Sequence, residues 1–316
     1  MGSYKIYVAL LLILLGGCGN AKAPAIRGDF ALTKITDSVY VIFGPNEEPT
    51  AQNQGFMNNP GFVLTKAGVV VVDPGGSVQV GELLLNKIRS VTTAPVIAVF
   101  NTHIHGDHWL GNQAIRAAYP RAVIYAHPNM IRDAAVAGQA WINHVLQSTD
   151  GAIKGTRLVM PDVAVDDDDT LALSNKHFRI YHNGVAHTDG DIMVEVEEDR
   201  ALFLGDNVVN ARAGRLDDGN FKGNISAIDV ALKSPALYFI PGHGKSGGPE
   251  IARAYQAYLK SLYLAVRKYR DQGLNDYEMK DKVAADLSQY QHWALFNNQL
   301  GRSISLAYLQ IEADSF

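Results

Sequence analysis

Three histidines and one aspartate occur within the six-residue stretch from His103 to His108. Imidazole nitrogens and carboxylate oxygens are ligands that zinc and similar divalent metals take from proteins. The stretch directly follows an apolar run, Pro95 to Phe100, which predicts a buried strand. Because a strand fixes the backbone while the loop after it lets side chains converge, the pattern predicts a metal site at this strand end.

Three further donors stand alone later in the chain, in small-residue settings between and after the last predicted strands: His187, Asp206 and His243. A single histidine or aspartate in a turn indicates little by itself. Together with the first cluster they complete a set of seven ligand-type residues. The members of the set are His103, His105, Asp107, His108, His187, Asp206 and His243.

Alternating strands and helices are predicted to position these residues. Strands are expected at 35–43, 61–64, 68–72, 95–100, 122–126, 170–173, 178–182, 192–196 and 201–204, and helices at 78–90, 110–119 and 130–147. The uninterrupted valine run at 69–72 predicts a strand that is buried on both faces. The strand, helix, strand order indicates sheets covered by helices.

A helical C-terminal extension is predicted after Gly248. Helices are expected at 249–270, 275–287 and 298–313, and the first has apolar residues at three- and four-residue spacing. Seven tyrosines lie between Tyr255 and Tyr308. Such a stripe favours helix packing over a substrate-stacking surface, which remains the alternative.

The first residues are typical of a secretory signal. Lys5 precedes an apolar run from Ile6 to Leu15, which is too short to span a bilayer. Leu15-Gly16-Gly17-Cys18 resembles a bacterial lipobox, and Cys18 is the only cysteine. We therefore expect a signal peptide at 1–18, a tether at 19–27, a catalytic domain at 28–248 and the extension at 249–316. The protein is expected to be exported, either as a lipoprotein on the periplasmic face of a membrane or as a soluble periplasmic protein, with the acyl anchor at Cys18 as its membrane contact.

Composition excludes some partners. The apolar fraction of 47% and the charged fraction of 19% are those of an ordinary globular protein. A net charge of -4 and the absence of a basic stripe give no reason to expect nucleic acid. A small-molecule substrate is the expected partner.

The seven donors and their flanking glycines resemble the metallo-β-lactamase-fold hydrolases, with a ligand set like that of glyoxalase II. This resemblance, over about Ile35 to Gly244, implies an α+β fold, an αββα four-layer sandwich. It implies that the first of two metals is held by His103, His105 and His187, and the second by Asp107, His108 and His243. Asp206 would bridge the metals, and Asp73 would support the metal loop.

Two divalent ions in such a site supply hydroxide near neutral pH, which attacks a carbonyl-type or ester bond. Asp107 is the expected catalytic residue, because it can orient the hydroxide and return a proton to the leaving group. Zinc is favoured by the histidine-rich first site, with iron or manganese as alternatives. The absence of a thiolate ligand speaks against the best-known lactamase subclass.

Two other functions remain open from the residues alone: a periplasmic lactamase, and a non-hydrolytic di-iron redox or binding protein. Lys245 is a candidate contact for an anionic substrate. Phe56, Met57 and Trp141 are candidates for an apolar wall of the substrate groove. His127, His144, His177, His182 and His292 are expected to be non-catalytic.

Overall fold

The computed structural model describes residues 25–314. The predicted signal peptide, the lipobox and most of the tether lie outside the described residues and stay predictions. Within the described range, none of the helices combines the length and the apolarity needed to cross a membrane.

A seven-stranded sheet follows the order of its strands in the chain. Its strands are β1 (Leu32–Lys34), β2 (Val39–Ile42), β3 (Gly61–Leu64), β4 (Val69–Val72), β5 (Val96–Phe100), β6 (Val123–Ala126) and β7 (Val163–Ala164). The pairs from β1 to β4 are antiparallel, and those from β4 to β7 are parallel. The carboxyl ends of β4 and β5 therefore lie side by side.

The second sheet has five strands in the order β12, β11, β10, β9, β8. They are β8 (Thr170–Leu173), β9 (Lys176–Tyr181), β10 (Met193–Val196), β11 (Ala201–Phe203) and β12 (Tyr238–Ile240). Only the β11 and β12 pair is parallel. The ends of β11 and β12 and the start of β10 consequently meet at one edge.

The two sheets pack face to face and helices cover both outer faces. The helices are α1 (Val78–Arg89), α2 (Gly106–Trp109), α3 (Asn112–Ala118), α4 (Pro128–Ser148), α5 (Phe221–Lys233), α6 (Pro249–Asp271), α7 (Lys280–Asp286) and α8 (Phe296–Ala313). Val70 and Val72 of β4 point to the second sheet, whereas Val69 and Val71 pack with α1 and α3. The prediction of a strand buried on both faces is thus confirmed, as is the αββα sandwich with a helical extension.

The extension packs directly on the second sheet. Leu202 of β11 and Phe239 of β12 belong to the same buried cluster as Tyr255 and Leu262 of α6 and Ile304 of α8. The tyrosine-rich face of α6 is therefore largely core, as the helical spacing predicted.

Three local predictions differ from the structure. Within the expected strand at 35–43 only β2 (Val39–Ile42) is strand. Residues 35–38 form the turn after β1, in which the Ile35 amide donates to the Val39 carbonyl oxygen at 2.8 Å, and β1 itself was not predicted. The expected helix at 110–119 is α3, and the short helix α2 that precedes it was not predicted. The helix α5 and the strand β12 were not predicted; β12 has only three residues, too few for a pattern.

Candidate metal centre

The seven predicted donors meet at the edge where the strand ends of both sheets come together. His103 and His105 follow β5, and α2 carries Asp107 and His108. His187 precedes β10. Asp206 lies in a short 3-10 turn after β11, and His243 follows β12. Backbone order in two sheets therefore places residues up to 140 positions apart around one point.

The first cluster consists of His103, His105, His187 and Asp206, whose donor atoms all lie within 4.8 Å of one another. Nδ1 of His105 is 2.9 Å from Nε2 of His187. Nε2 of His187 is 3.7 Å from Oδ2 of Asp206. The four side chains are buried, so they present converging nitrogens and an oxygen to one small volume.

The second cluster consists of Asp107, His108 and His243. Nε2 of His243 is 3.2 Å from Asp107 Oδ2 and 3.3 Å from Asp206 Oδ2. Nε2 of His108 is 3.4 Å from both Asp107 Oδ2 and Asp206 Oδ1. Asp206 is therefore shared by the two clusters, as a bridging ligand must be.

Close backbone approach makes room for this aspartate. A Cβ added at Gly242 would lie 1.9 Å from Oδ1 of Asp206. Any side chain at that position would displace the carboxylate, so the glycine before His243 is required by packing.

The outer ring nitrogens of three histidines are fixed by acceptors. Nδ1 of His108 donates to Oδ2 of Asp73 at 2.8 Å, and Nδ1 of His243 donates to the Met57 carbonyl oxygen at 3.0 Å. Nδ1 of His103 lies 3.0 Å from Oγ1 of Thr102, which donates its own proton to Asp73. Each contact places a proton on Nδ1 and directs Nε2 into the clusters, the arrangement that metal-ligating histidines adopt.

Burial and neighbouring charges set the protonation states. Burial lowers the pKa of His103 well below its usual value and lowers the pKa of His187 to about 3, with help from neighbouring histidines. Burial alone would raise the pKa of Asp206, yet His243 and His108 hold it well below its usual value. Neutral imidazoles and ionised carboxylates are the forms that bind divalent metals.

His108 shows that the second cluster attracts positive charge. Burial alone would lower its pKa, but the carboxylates of Asp107, Asp206 and Asp73 raise it well above the usual value. In the metal-free protein a proton therefore stabilises these carboxylates, and a metal cation would satisfy the same field.

Unpaired buried atoms test whether the residues fit a metal. Among residues 25–314, Nε2 of His103, Nε2 of His108 and Oδ1 of Asp206 are buried and have no hydrogen-bond partner. Such atoms are costly to bury unless something binds them. All three belong to the two clusters, so the donor set fits two divalent ions.

A cleft leads from the surface to both clusters. Met57, Trp141 and Val145 form its apolar side, and Arg212 and Arg215 contribute positive charge. The predicted wall residue Phe56 instead lies in the core under α1. Lys245 is not among the residues that line the cleft; its Nζ lies 4.5 Å from the centre of the Phe43 ring.

The remaining histidines lie outside the clusters. His127 and His182 stack on each other with ring centres 3.8 Å apart, and His177 contacts Glu198. His144 lines the mouth of the cleft beside Trp141, a position that its exposed helical setting in the sequence did not indicate.

Sequence reasoning missed several contacts that organise the centre. The Met57 carbonyl oxygen and the Thr102 hydroxyl hold histidines, and Arg212 is a buried cation beside the clusters. Asp218 contacts Nε2 of His105 from a loop for which no element was predicted. Among these residues, only Thr102 carried a signal in the sequence, because it directly precedes the histidine stretch.

Comparison with known proteins places this geometry in context. The sequence profile described as the metallo-beta-lactamase superfamily matches residues 54–243, which include all seven donors. A hydroxyacylglutathione hydrolase from Synechococcus sp. (strain JA-3-3Ab) is 28% identical over 169 residues, 54% of this chain and 55% of that protein. The protein of the same name from Francisella tularensis subsp. holarctica is 28% identical over 163 residues, 51% of this chain and 52% of that protein. The chain thus spans about half the length of the curated relatives it matches.

Solved structures share the fold at lower identity. A metallo-beta-lactamase from Pontibacter korlensis superposes with a TM-score of 0.59 at 24% identity, covering 73% of this chain and 99% of that one. A stereoselective inverting sec-alkylsulfatase from Pseudomonas sp. superposes with a TM-score of 0.67 at 16% identity, covering 89% of this chain and 50% of that one. The second likeness extends beyond the range of the family profile.

Proposed function

The chain belongs to the metallo-β-lactamase superfamily, and on that premise we propose that it is a metal-dependent hydrolase that cleaves a carbonyl-type or ester bond. The observation that carries the proposal is the convergence of seven buried donors into two clusters that share Asp206. Four buried atoms of these donors, Nε2 of His103 and His108, Nδ1 of His187 and Oδ1 of Asp206, have no hydrogen-bond partner among the described residues, which supports the proposal.

One divalent ion would be held by His103, His105 and His187. The other would be held by Asp107, His108 and His243. Asp206 would bind both ions. Ions bound there lower the pKa of a coordinated water and polarise a substrate carbonyl. Zinc suits the nitrogen-rich donor set best, and iron or manganese would suit the shared carboxylate.

Asp107 is the proposed catalytic residue. Its carboxylate lines the cleft and lies beside His108 and His243. Burial alone would raise its pKa, but these two histidines hold the pKa well below its usual value. An ionised carboxylate at this position can accept a proton from the attacking water and pass it to the leaving group.

The cleft favours a substrate with an apolar portion and negative charge. Trp141 and Met57 offer apolar surface. Arg212 and Arg215 would attract an anionic group, against the opposing charge of Glu48 in the same lining and with Arg215 already paired to Asp217. Because the curated relatives carry the name hydroxyacylglutathione hydrolase, thioesters are the first class to assay. Lactones, β-lactams including nitrocefin, and phosphodiesters complete the screen.

The experiment compares His103→Ala and Asp206→Ala with His292→Ala, an exposed histidine that belongs to neither cluster. We expect the first two proteins to lose bound metal and at least about a hundredfold in hydrolysis, as expected for loss of metal assistance. The His292 variant should keep both. Elemental analysis and turnover of the best substrate are the measurements, and full metal with full activity in either cluster variant would overturn the proposal.

A further inference from the structure

His105 differs from the other histidines of the centre in the nitrogen that it directs inward. Its Nε2 lies 2.9 Å from Oδ2 of Asp218. Because a carboxylate accepts, Nε2 carries the proton and Nδ1 keeps its lone pair. That lone pair faces Nε2 of His187 at 2.9 Å, inside the first cluster.

Asp218 comes from a loop that the C-terminal helix α8 holds on both sides. Its neighbour Asp217 pairs with Arg302 of α8. On the other side, Gln310 of α8 donates from Nε2 to the Gly219 carbonyl oxygen at 3.0 Å and accepts from the Phe221 amide at 2.9 Å. The backbone of Asp218 is therefore clamped between two contacts to one helix.

The same loop also packs on the segment that carries His187. The Asn220 amide donates to the Ala186 carbonyl oxygen at 2.8 Å. A Cβ at Gly219 would lie 2.3 Å from the Ala186 oxygen and 2.5 Å from the His187 oxygen. These contacts hold the loop against the segment of His187, and Asp218 of this loop faces the ring of His105.

We propose that Asp218 is a positioning residue of the first metal site: clamped by α8, it fixes the ring orientation and the tautomer of His105. The inference rests on the proposed metal binding and extends it, because it makes the C-terminal extension part of the metal centre. Partners of this kind on ligating histidines commonly change metal affinity by about 10- to 100-fold when removed.

An ordinary surface ion pair is the competing interpretation, since the Asp218 side chain is 53% exposed. Pairs between exposed groups contribute little. The imidazole of His105, however, is only 7% exposed, and its other nitrogen is already directed to His187. A rotation of this ring would take Nδ1 out of the cluster, so the contact constrains a buried group.

The test uses the full protein with Asp218→Asn, Asp218→Ala and Asp218→Glu. Asp286→Asn is the matched control. Asp286 forms an exposed ion pair with Lys268, and both residues lie on the C-terminal extension, outside the clusters. Cobalt is loaded in place of the native metal. Its affinity is measured by competition with a chromophoric chelator, its visible spectrum is recorded, and the melting temperature of the metal-free protein is determined.

We expect Asp218→Ala to weaken the first bound cobalt about 10- to 100-fold and to change its visible spectrum. Asp218→Asn should weaken it less, because its Oδ1 can still accept from Nε2 of His105. Asp218→Glu should restore part of the affinity, and the metal-free melting temperatures should match that of Asp286→Asn. Unchanged affinity and spectrum in Asp218→Ala would overturn the inference. A loss of affinity that appears only with an equal loss of metal-free stability would also overturn it, since the role would then be structural. Failure of the unmodified protein to bind cobalt would instead overturn the proposed function.

Discussion

Among single residues, Asp73 does the most to shape the metal loop. It follows β4 with a positive φ of 50°, and its carboxylate accepts from the Thr102 amide at 2.8 Å and the Thr102 hydroxyl at 2.7 Å. The same carboxylate accepts from Nδ1 of His108. One buried side chain therefore sets the start of the loop directly and fixes the tautomer of a histidine in each cluster.

Replacement of Asp73 by asparagine keeps the shape and removes one acceptor. The new amide NH₂ would face a donor in either orientation: the Thr102 amide at the position of Oδ1, or both the Thr102 hydroxyl and Nδ1 of His108 at the position of Oδ2. At least one of these donors must therefore lose its partner or change tautomer. We expect metal affinity to fall about 10- to 100-fold, measured by chelator competition. Asp37→Asn, at an exposed turn, is the control. Equal affinity in the two variants would contradict the role of Asp73.

Among single residues, the sequence identified the metal-site candidates that are neighbours in the chain or are of typical ligand type. The density of histidines from His103 to His108 was enough to predict a metal site. The later donors were added because the seven ligand-type residues occur in the order that the family shows. Asp218 could not be found, because it lies 113 positions from its partner in a loop without periodicity. Nor could the Met57 contact, since a backbone carbonyl has no signature in a side-chain pattern.

Among the elements, the strands position the metal centre, and most of them could be predicted from the periodicity of their sequences. The runs of valine and isoleucine gave β3 to β6 and β9 to β11 to within a few residues. The elements that were missed are short or polar. Residues 36–38 were predicted as strand but form the turn between β1 and β2. The helix α5 carries Gly223 and Asn224 in its first turn, and both residues weaken a helical pattern.

The two sheets are also joined far from the metal centre, by Asp199. This aspartate, just before β11, accepts from Thr36 Oγ1 at 2.5 Å and Ser38 Oγ at 2.7 Å in the β1 to β2 turn. It also accepts from Nζ of Lys176 at the start of β9, at 2.6 Å. The Asp199 side chain is 6% exposed, so a largely buried carboxylate ties the first sheet to the second.

We expect Asp199→Asn to lower the free energy of unfolding by about 3 kcal/mol near neutral pH, because Lys176 loses its counter-charge. Burial alone would raise the pKa of Asp199, but hydrogen bonds from Lys176, Thr36 and Ser38 lower it. Because the pKa is lower in the folded state, the ionised carboxylate stabilises the folded protein at pH values above the unfolded-state pKa of about 4. This stabilisation is lost as the pH falls through the folded-state pKa.

The difference between the two proteins should therefore be full at pH 6 to 7, about two units above that unfolded value, and should shrink below about pH 4. Urea unfolding across this range is the measurement, with Asp37→Asn as the control. A difference that grows toward acid pH would contradict the assigned role of the carboxylate.

For the whole molecule, the extension and the second sheet form one core. Leu262 of α6 is fully buried in the cluster that includes Leu202 and Phe239 of that sheet. Loss of packing in the extension should therefore destabilise the second sheet. It should also loosen Asp206 and His243, which follow the ends of β11 and β12.

We expect Leu262→Ala to lower the free energy of unfolding by about 3 kcal/mol, the usual cost of such a cavity, in a single transition. Leu264, on the same helix, is 51% exposed, and Leu264→Ala should have almost no effect. Calorimetry and circular dichroism of both variants test the expectation. Two separable transitions, of which only one moves in Leu262→Ala, would show that the extension unfolds independently.

Metal binding should stabilise the whole molecule, because the donors that it would engage come from both sheets. Without a metal, Nε2 of His103, Nε2 of His108 and Oδ1 of Asp206 have no hydrogen-bond partner within residues 25–314, and the carboxylates of Asp107 and Asp206 both lie 3.4 Å from Nε2 of His108. A ligand that binds the folded state alone adds about 4 kcal/mol at a thousandfold excess over its dissociation constant. Zinc should therefore raise the melting temperature by several degrees over that of the chelator-treated protein, and Asp206→Ala should lose most of this rise. Equal melting temperatures of the unmodified protein in zinc and in chelator would mean that the two clusters do not hold metal.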